Sequence, residues 1–387
     1  MSAAVWLEWI VSRRRTLLWS LVVIALGCTT YLVVRHKRDL VDFEVYRTAA
    51  ARAWDAEPLY RPEDGHYQFK YLPAFAIPMT PFAVVDMTLA KAAWCVLSVG
   101  LLVIFVRRSI AALPNPRVAA RRLAWITVLL MAKFYAHEIE LGQTNILLGV
   151  VLVSSLAAAQ RRLPILAGAL VGVAVFVKPY ALVLVPWLVV SQGVPAVLSF
   201  GGVLAAGLVM PVALYGWAGN RDLLVAWLRT VTDTTAPNLL LPENISMATM
   251  WAKWIGVGRA ASVLAMVTAC AAMALTVAAM EKRRRVAAPD YLEFGMLMLL
   301  VPLISPQGWD YVLLIATPAV IVVVDRFHEV SVAWRVASAA ALALMSFTIF
   351  DLVGRTAYSH LMAISIVTVA ALGLIVCLAH LRWRSLA

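Results

Sequence analysis

The sequence predicts an all-α polytopic membrane protein. Of its 387 residues 63% are hydrophobic and only 14% are charged, which excludes an ordinary soluble globule. Mean hydropathy is +0.86. Apolar stretches near the roughly 17 to 25 residues that a helix needs to cross hydrocarbon recur along the chain, with polar breaks between them. Backbone polar groups must be satisfied within lipid, so helices are the spanning element, and the alternating pattern of a barrel is absent.

Taken in order, the first stretch, residues 16–34, follows Arg13, Arg14 and Arg15. It is too long for a secretory signal and no small-x-small cleavage site follows, so it reads as a retained anchor. Further helices are expected at 88–106, 123–137, 144–159, 163–178, 180–191, 195–216, 259–280, 291–304, 309–324, 333–352 and 358–380, giving about twelve. Residues 71–85 are apolar but short, and they carry Pro73, Pro78 and Pro81. That suits a re-entrant or interfacial segment better than a span. Gly168 and Gly172 form a small-xxx-small pair suited to close helix packing. The whole chain, 1–387, reads as one integral-membrane domain with two long loops, 36–87 and 217–258. Cys28, Cys95, Cys270 and Cys377 sit singly in apolar stretches, with no metal or redox spacing, and read as small buried hydrophobes.

Loop charge sets the expected topology. If 71–85 does not cross, the N-terminus, 107–122, 160–162, 281–290 and the C-terminal tail share one side, and 107–122 alone carries five Arg and no acid. By the positive-inside rule this side is cytoplasmic. Both termini then face the cytoplasm, and the loops 36–70, 137–143, 217–258 and 305–309 face outward. The net charge of +12 is thereby explained by topology, with no need of a nucleic-acid partner.

Chemistry-bearing residues gather on that outer side. Asp42 and Glu44, with Asp39, lie just past the first apolar stretch. In a helix, Asp42 would share a face with Asp39 and with Tyr46. A carboxylate there can take a proton from a hydroxyl, and partial burial would raise its pKa toward a useful value; a solvated interfacial charge is the other reading. Glu138, Glu140, Gln143 and Asn145 make a polar turn suited either to reading sugar hydroxyls or to helix capping. His137 beside them reads as structural. Lys178 ends an apolar helix at Pro179, where it can face an anion or snorkel to the interface. Residues 237–254 add Glu243, Asn244 and Lys253, and Asn244, Ile245 and Ser246 fit a glycosylation pattern. Trp309, Asp310 and Tyr311 interrupt two helices, either as interfacial anchors or as an aromatic and acidic sugar wall.

The ordered series DFEVYRTAAARAW with PLY, YQFKYLPAFAIPMTPFAVV, ELGQTNILL, AGALVGVAVFVKP, ENIS and SPQGWDY resembles glycosyltransferase family 87, the polyprenol-phosphate-mannose-dependent mannosyltransferases of GT-C fold. The resemblance implies a GT-C-like bundle in the bacterial inner membrane. It implies inverting transfer of a sugar, most readily mannose, from a polyprenyl-phosphate donor to a hydroxyl of a lipid or glycan acceptor at the outer face. Asp42 would be the general base, and Lys178 and Lys253 would stabilise the departing phosphate. Sugar or acceptor contacts would fall to Glu44, Tyr46, Gln143, Asn145, Asn244, Trp309, Asp310 and Tyr311. Two departures stand out: Asp310 and Tyr311 follow Trp309 where family members often carry His, and Lys253 stands where Arg commonly follows ENIS. Asp42-Phe43-Glu44 is not the Asp-x-Asp or Glu-x-Asp pattern tied to metal use in some related enzymes, so no metal is assigned and no other cofactor is expected. The rival reading is a lipid-linked-sugar flippase or secondary transporter, which would place ionisable residues at mid-helix.

Overall fold

The computed structural model describes residues 40–281, 283–286 and 288–384. The expected first span at 16–34, Cys28 and Asp39 lie outside the described residues. Everything described is helical or loop, apart from one isolated bridge between Asn244 and Trp309.

The acidic block is a helix, α1 (Val41–Trp54). Its buried face, Phe43, Tyr46, Ala49, Ala50 and Ala53, follows helical spacing. Residues 73–83 then form short consecutive helical turns, too short to span. Arg47 of α1 donates to the carbonyls of Phe82 and Val85 at 3.0 and 2.8 Å, so the end of the segment is tied to that helix. Broken into turns of three or four residues, it forms no continuous helix that could cross a membrane by itself.

From there the chain builds α2 (Met87–Ala111), α3 (Ala120–Leu141), α4 (Asn145–Gln160) and α5 (Pro164–Val177). After a 3-10 stretch come α6 (Val185–Gln192), α7 (Val194–Val209), α8 (Val212–Asp233), α9 (Met247–Ile255), α10 (Arg259–Met280) and α11 (Asp290–Ile304). A second 3-10 stretch leads to α12 (Thr317–Asp325), α13 (Val332–Phe347), α14 (Arg355–Ala363) and α15 (Ile366–Arg384). Among the described residues, α2, α10 and α15 are long and apolar enough to cross a membrane unaided. Of the others expected as spans, α3 has 22 residues but carries Arg121, Arg122, Lys133, Glu138 and Glu140, and the rest are shorter or broken. A 16-residue helix such as α4 reaches only about 24 Å against a core of about 30 Å.

Three boundaries depart from the sequence expectation. The helix expected at 195–216 stops at Val209, and the chain bends by 91° into α8. Pro211 cannot continue the ladder, and the Asn220 side chain donates to the Leu208 carbonyl at 2.9 Å, satisfying a group the break exposes. The supposed loop 217–258 is consequently mostly helix, α8 and α9. The helix expected at 358–380 is two, parted at Ser365, whose φ is 55°.

The basic loops meet at one end. Residues of 113–117, 286–292, 322–329 and 381–384 line one hollow there, and Gln160 donates to the Ala112 carbonyl at 2.8 Å. Helices α3 and α11 run from this end to an opposite one, where residues 137–141 and 304–309 lie. Cys95 and Cys377 are buried as expected, but Cys270 is exposed, on a face of α10 that the protein leaves open.

Close packing of α5 on α7 depends on Gly168. A Cβ there would sit 1.9 Å from the Ala196 carbonyl oxygen, and one at Gly172 would sit 2.9 Å from Val203 Cβ. Gly168→Leu is expected to part the two helices and cost about 2 to 3 kcal/mol or more. Thermal melting of the purified protein checks it, and an unchanged melting point would show that the two helices are free to separate.

Candidate functional site

The end opposite the basic loops holds a cavity of about 690 Å³. Residues from α1, the 66–71 stretch, the end of α3, residues 177–180, α8 and the 304–311 connection line it. Val41, Val45, Val177, Val231 and Ile304 make part of the wall apolar, and the polar groups converge on Gln143.

Gln143 is placed by a turn that only glycine makes cheaply. Helix α3 ends at Gly142 with φ 71°, and a Cβ there would lie 2.9 Å from both Leu40 and Phe43. The Gly142 carbonyl accepts from the Trp94 indole at 2.9 Å, and the Leu40 amide donates to the Glu140 carbonyl at 2.8 Å. The start of α1 is thereby tied to the end of α3, which brings Asp42 to Gln143. Gln143 Nε2 donates to Asp42 Oδ2 at 2.7 Å and to the Tyr311 hydroxyl at 3.3 Å. Its Oε1 accepts from Tyr46 at 2.9 Å, Tyr71 at 3.1 Å and Lys178 Nζ at 3.4 Å. One amide thus joins a carboxylate, an ammonium and three phenols.

Lys178 sits where α5 stops at Pro179, its backbone extended. Its ammonium lies 4.7 Å from the Tyr71 ring centre, a cation over a π face. Burial raises the pKa of Asp42 above the ordinary carboxylate range, opposed by the Gln143 hydrogen bond and by Lys178, Lys70 and His66. Burial likewise lowers the pKa of Lys70, with Asp42 opposing. A carboxylate whose charge is disfavoured has an appetite for a proton, and two cations beside it suit an anion. That pairing serves general-base chemistry next to a phosphate.

Of the residues singled out from sequence, Asp42, Tyr46, Gln143, Lys178, Trp309 and Tyr311 line the cavity. Glu243 and His137 line it as well, and the others fall elsewhere. Glu44 forms an ion pair with Lys91 and lines a neighbouring hollow. Asn145 is fully buried, its Nδ2 donating to Glu138 at 2.8 Å and its Oδ1 accepting from Tyr180 at 2.7 Å. The Glu138 carboxylate also accepts from the backbone amides of Asn145 and Ile146, so it caps α4. Asn244 is buried and clamps the Asn238 and Pro306 carbonyls at 3.1 and 3.0 Å, so the glycosylation pattern is sealed inside the fold. Lys253 donates to the carbonyls of Pro242 and Met362, each at 3.2 Å, and does not line the cavity. Asp310 sits behind the wall, 3.2 Å from His137.

Sequence reasoning passed over Lys70, Tyr71 and Tyr180 and read His137 as structural, and all four are in the lining. Lys70 had a signal, a cation just ahead of the proline-rich segment; the tyrosines had none beyond composition. Among the described residues no three His, Cys, Asp or Glu side chains gather as a metal site would require.

The sequence pattern of glycosyltransferase family 87 matches residues 69–306. Tyr71, Gln143 and Lys178 fall inside that stretch, Asp42 ahead of it, and Trp309 and Tyr311 just beyond. The chain is 26% identical over 370 residues to a polyprenol-phosphate-mannose-dependent alpha-(1-2)-phosphatidylinositol mannoside mannosyltransferase of Mycobacterium tuberculosis (strain ATCC 25618 / H37Rv), covering 87% of this chain and 82% of that protein. No solved structure matches.

Proposed function

The chain belongs to glycosyltransferase family 87, and from that premise we propose that it moves mannose from a polyprenyl-phosphate donor to a hydroxyl of a lipid or glycan acceptor, with inversion. It is a hexosyltransferase of the membrane. The observation that carries the mechanism is the single cluster of Asp42, Gln143 and Lys178 in one cavity.

Asp42 takes the acceptor proton as that oxygen attacks the anomeric carbon, and polyprenyl phosphate departs with the electron pair of the breaking bond. One base and no covalent intermediate suffice for inversion, as in inverting hydrolases. Lys178 and Lys70 meet the charge that develops on the leaving phosphate. Lys253, bound to backbone carbonyls, is left as a structural clamp. Gln143 holds base and ammonium in register. We assign no metal. The cavity end faces outward and the basic end the cytoplasm, by the positive-inside rule, in a bacterial inner membrane. A phosphatidylinositol mannoside is the first acceptor to try, on the printed activity of the relative. A transporter would distribute ionisable groups along a path at membrane depth. Here the cavity's ionisable groups gather at one end of the bundle, and at the other the buried Glu293 is paired with Arg283 and Arg382.

Membranes carrying the protein, offered radiolabelled polyprenyl-phosphate mannose and a nucleotide sugar in parallel, are expected to consume the former alone. Consumption of the nucleotide sugar instead would overturn the donor assignment.

A further inference from the structure

The cavity is electrically divided. On the Asp42 side stand Lys70, Lys178 and His66. On the other side Glu243 lines the wall, and His137 faces Asp310 at 3.2 Å. Asp310 is held in place through its backbone amide, which donates to the Glu243 carbonyl at 3.0 Å. Its Oδ1 is buried and, among the described residues, has no hydrogen-bond partner, so the facing imidazole is what offsets it. The His137 and Tyr311 rings also pack in a T shape, with centres 5.1 Å apart at 81°. Carboxylate and phenol ring both lie against the imidazole. With Nδ1 turned to Asp310, Nε2 is the nitrogen left for a ligand, and His137 lines the cavity, about a third of its side chain exposed.

The surroundings also choose the ligand. Carboxylates near His137 disfavour a second phosphate, whereas a carboxylate, an imidazole and the Trp309 ring are a set that reads hydroxyls.

We propose that His137, positioned by Asp310, binds a sugar hydroxyl, and that this wall seats the sugar of a substrate while the Lys70 and Lys178 side holds the phosphate. The inference rests on the glycosyltransferase reading above. The sugar belongs either to the donor or to the acceptor, and the test separates them.

Binding of three probes to the detergent-purified protein is measured by titration: bare polyprenyl phosphate, polyprenyl-phosphate mannose, and octyl α-mannoside, a sugar without phosphate. His137→Ala is expected to lose about 10- to 100-fold in affinity for one mannose-bearing probe while binding bare polyprenyl phosphate as wild type does. Loss on the phosphomannose probe assigns the donor sugar, and loss on the octyl mannoside assigns the acceptor sugar. Asp310→Asn is expected to move the same probe in the same direction by less. Equal affinity of His137→Ala for all three probes, or equal loss on all three in a variant that melts with wild type, overturns the inference. Should His137→Ala melt early, His137→Gln carries the same comparison. Because no turnover is read, the result stands apart from Asp42: a fully active Asp42→Asn would remove the proposed base and leave these binding ratios to be judged alone.

Discussion

Asp42→Asn is expected to lower transfer by about 10²- to 10⁴-fold, the range a positioned general base supplies. Gln143 Nε2 now donates to Oδ2 at 2.7 Å, and an asparagine can present its own oxygen there, so the geometry of the cluster survives. The pH dependence has a definite sign. Burial raises the Asp42 pKa, and the protonated acid cannot accept a proton. Activity should therefore rise with pH through that raised value, so the acid limb of kcat/KM lies above the ordinary carboxylate range. Gln143→Leu removes a bond that lowers this pKa and should push the limb higher still. Linkage gives an independent check. A carboxylate with a raised folded pKa destabilises the fold once ionised, its penalty growing as pH rises from the unfolded pKa to the folded one. At neutral pH the asparagine variant should therefore melt at or above wild type. Wild-type turnover in Asp42→Asn, measured with polyprenyl-phosphate mannose, would end the base assignment.

What could be read from the sequence follows from which interactions are local. Asp42 stood out because a carboxylate beside so much hydrocarbon is improbable by composition, and Gly168 because two glycines four residues apart mean close backbones. Helix α10 runs over Arg259–Met280, the bounds its apolar run predicts. Helix α8 was read as loop because Arg221, Asp222, Arg229 and Asp233 dilute its hydropathy. Its buried residues, Asn220, Leu223 and Thr230, keep helical spacing all the same. Side-chain roles were harder. Asn145, Asn244 and Gln143 are amides on neighbouring polar turns, equal in any composition. Two are spent on the fold, and one faces the cavity, because tertiary contacts settle which carbonyls need a donor. Lys70 and His137 join the site only after 66–71 and α3 have been brought together through α1 and Gly142, a convergence no window of sequence contains.

Lys178→Met is the second large effect expected, a fall in kcat of about 10²- to 10³-fold, the scale on which removal of one preorganised group for a developing charge is felt. Methionine keeps the length and the contact with Tyr71 but has no ammonium 3.4 Å from Gln143 Oε1. Two consequences separate this from a packing defect. The variant should bind bare polyprenyl phosphate more weakly, because the leaving group is the ligand that the ammonium holds. Its acid limb should also move upward, because Lys178 lowers the Asp42 pKa and that influence is gone. Lys178→Arg should restore part of the rate, since charge is kept but its position shifts. A methionine variant with wild-type kcat and wild-type affinity for polyprenyl phosphate would show that the phosphate lies elsewhere. The cavity would then keep its base and lose its leaving-group pocket. Base and ammonium share one glutamine, so each variant should perturb the other's signature, and a double variant should cost less than the product of the two single losses.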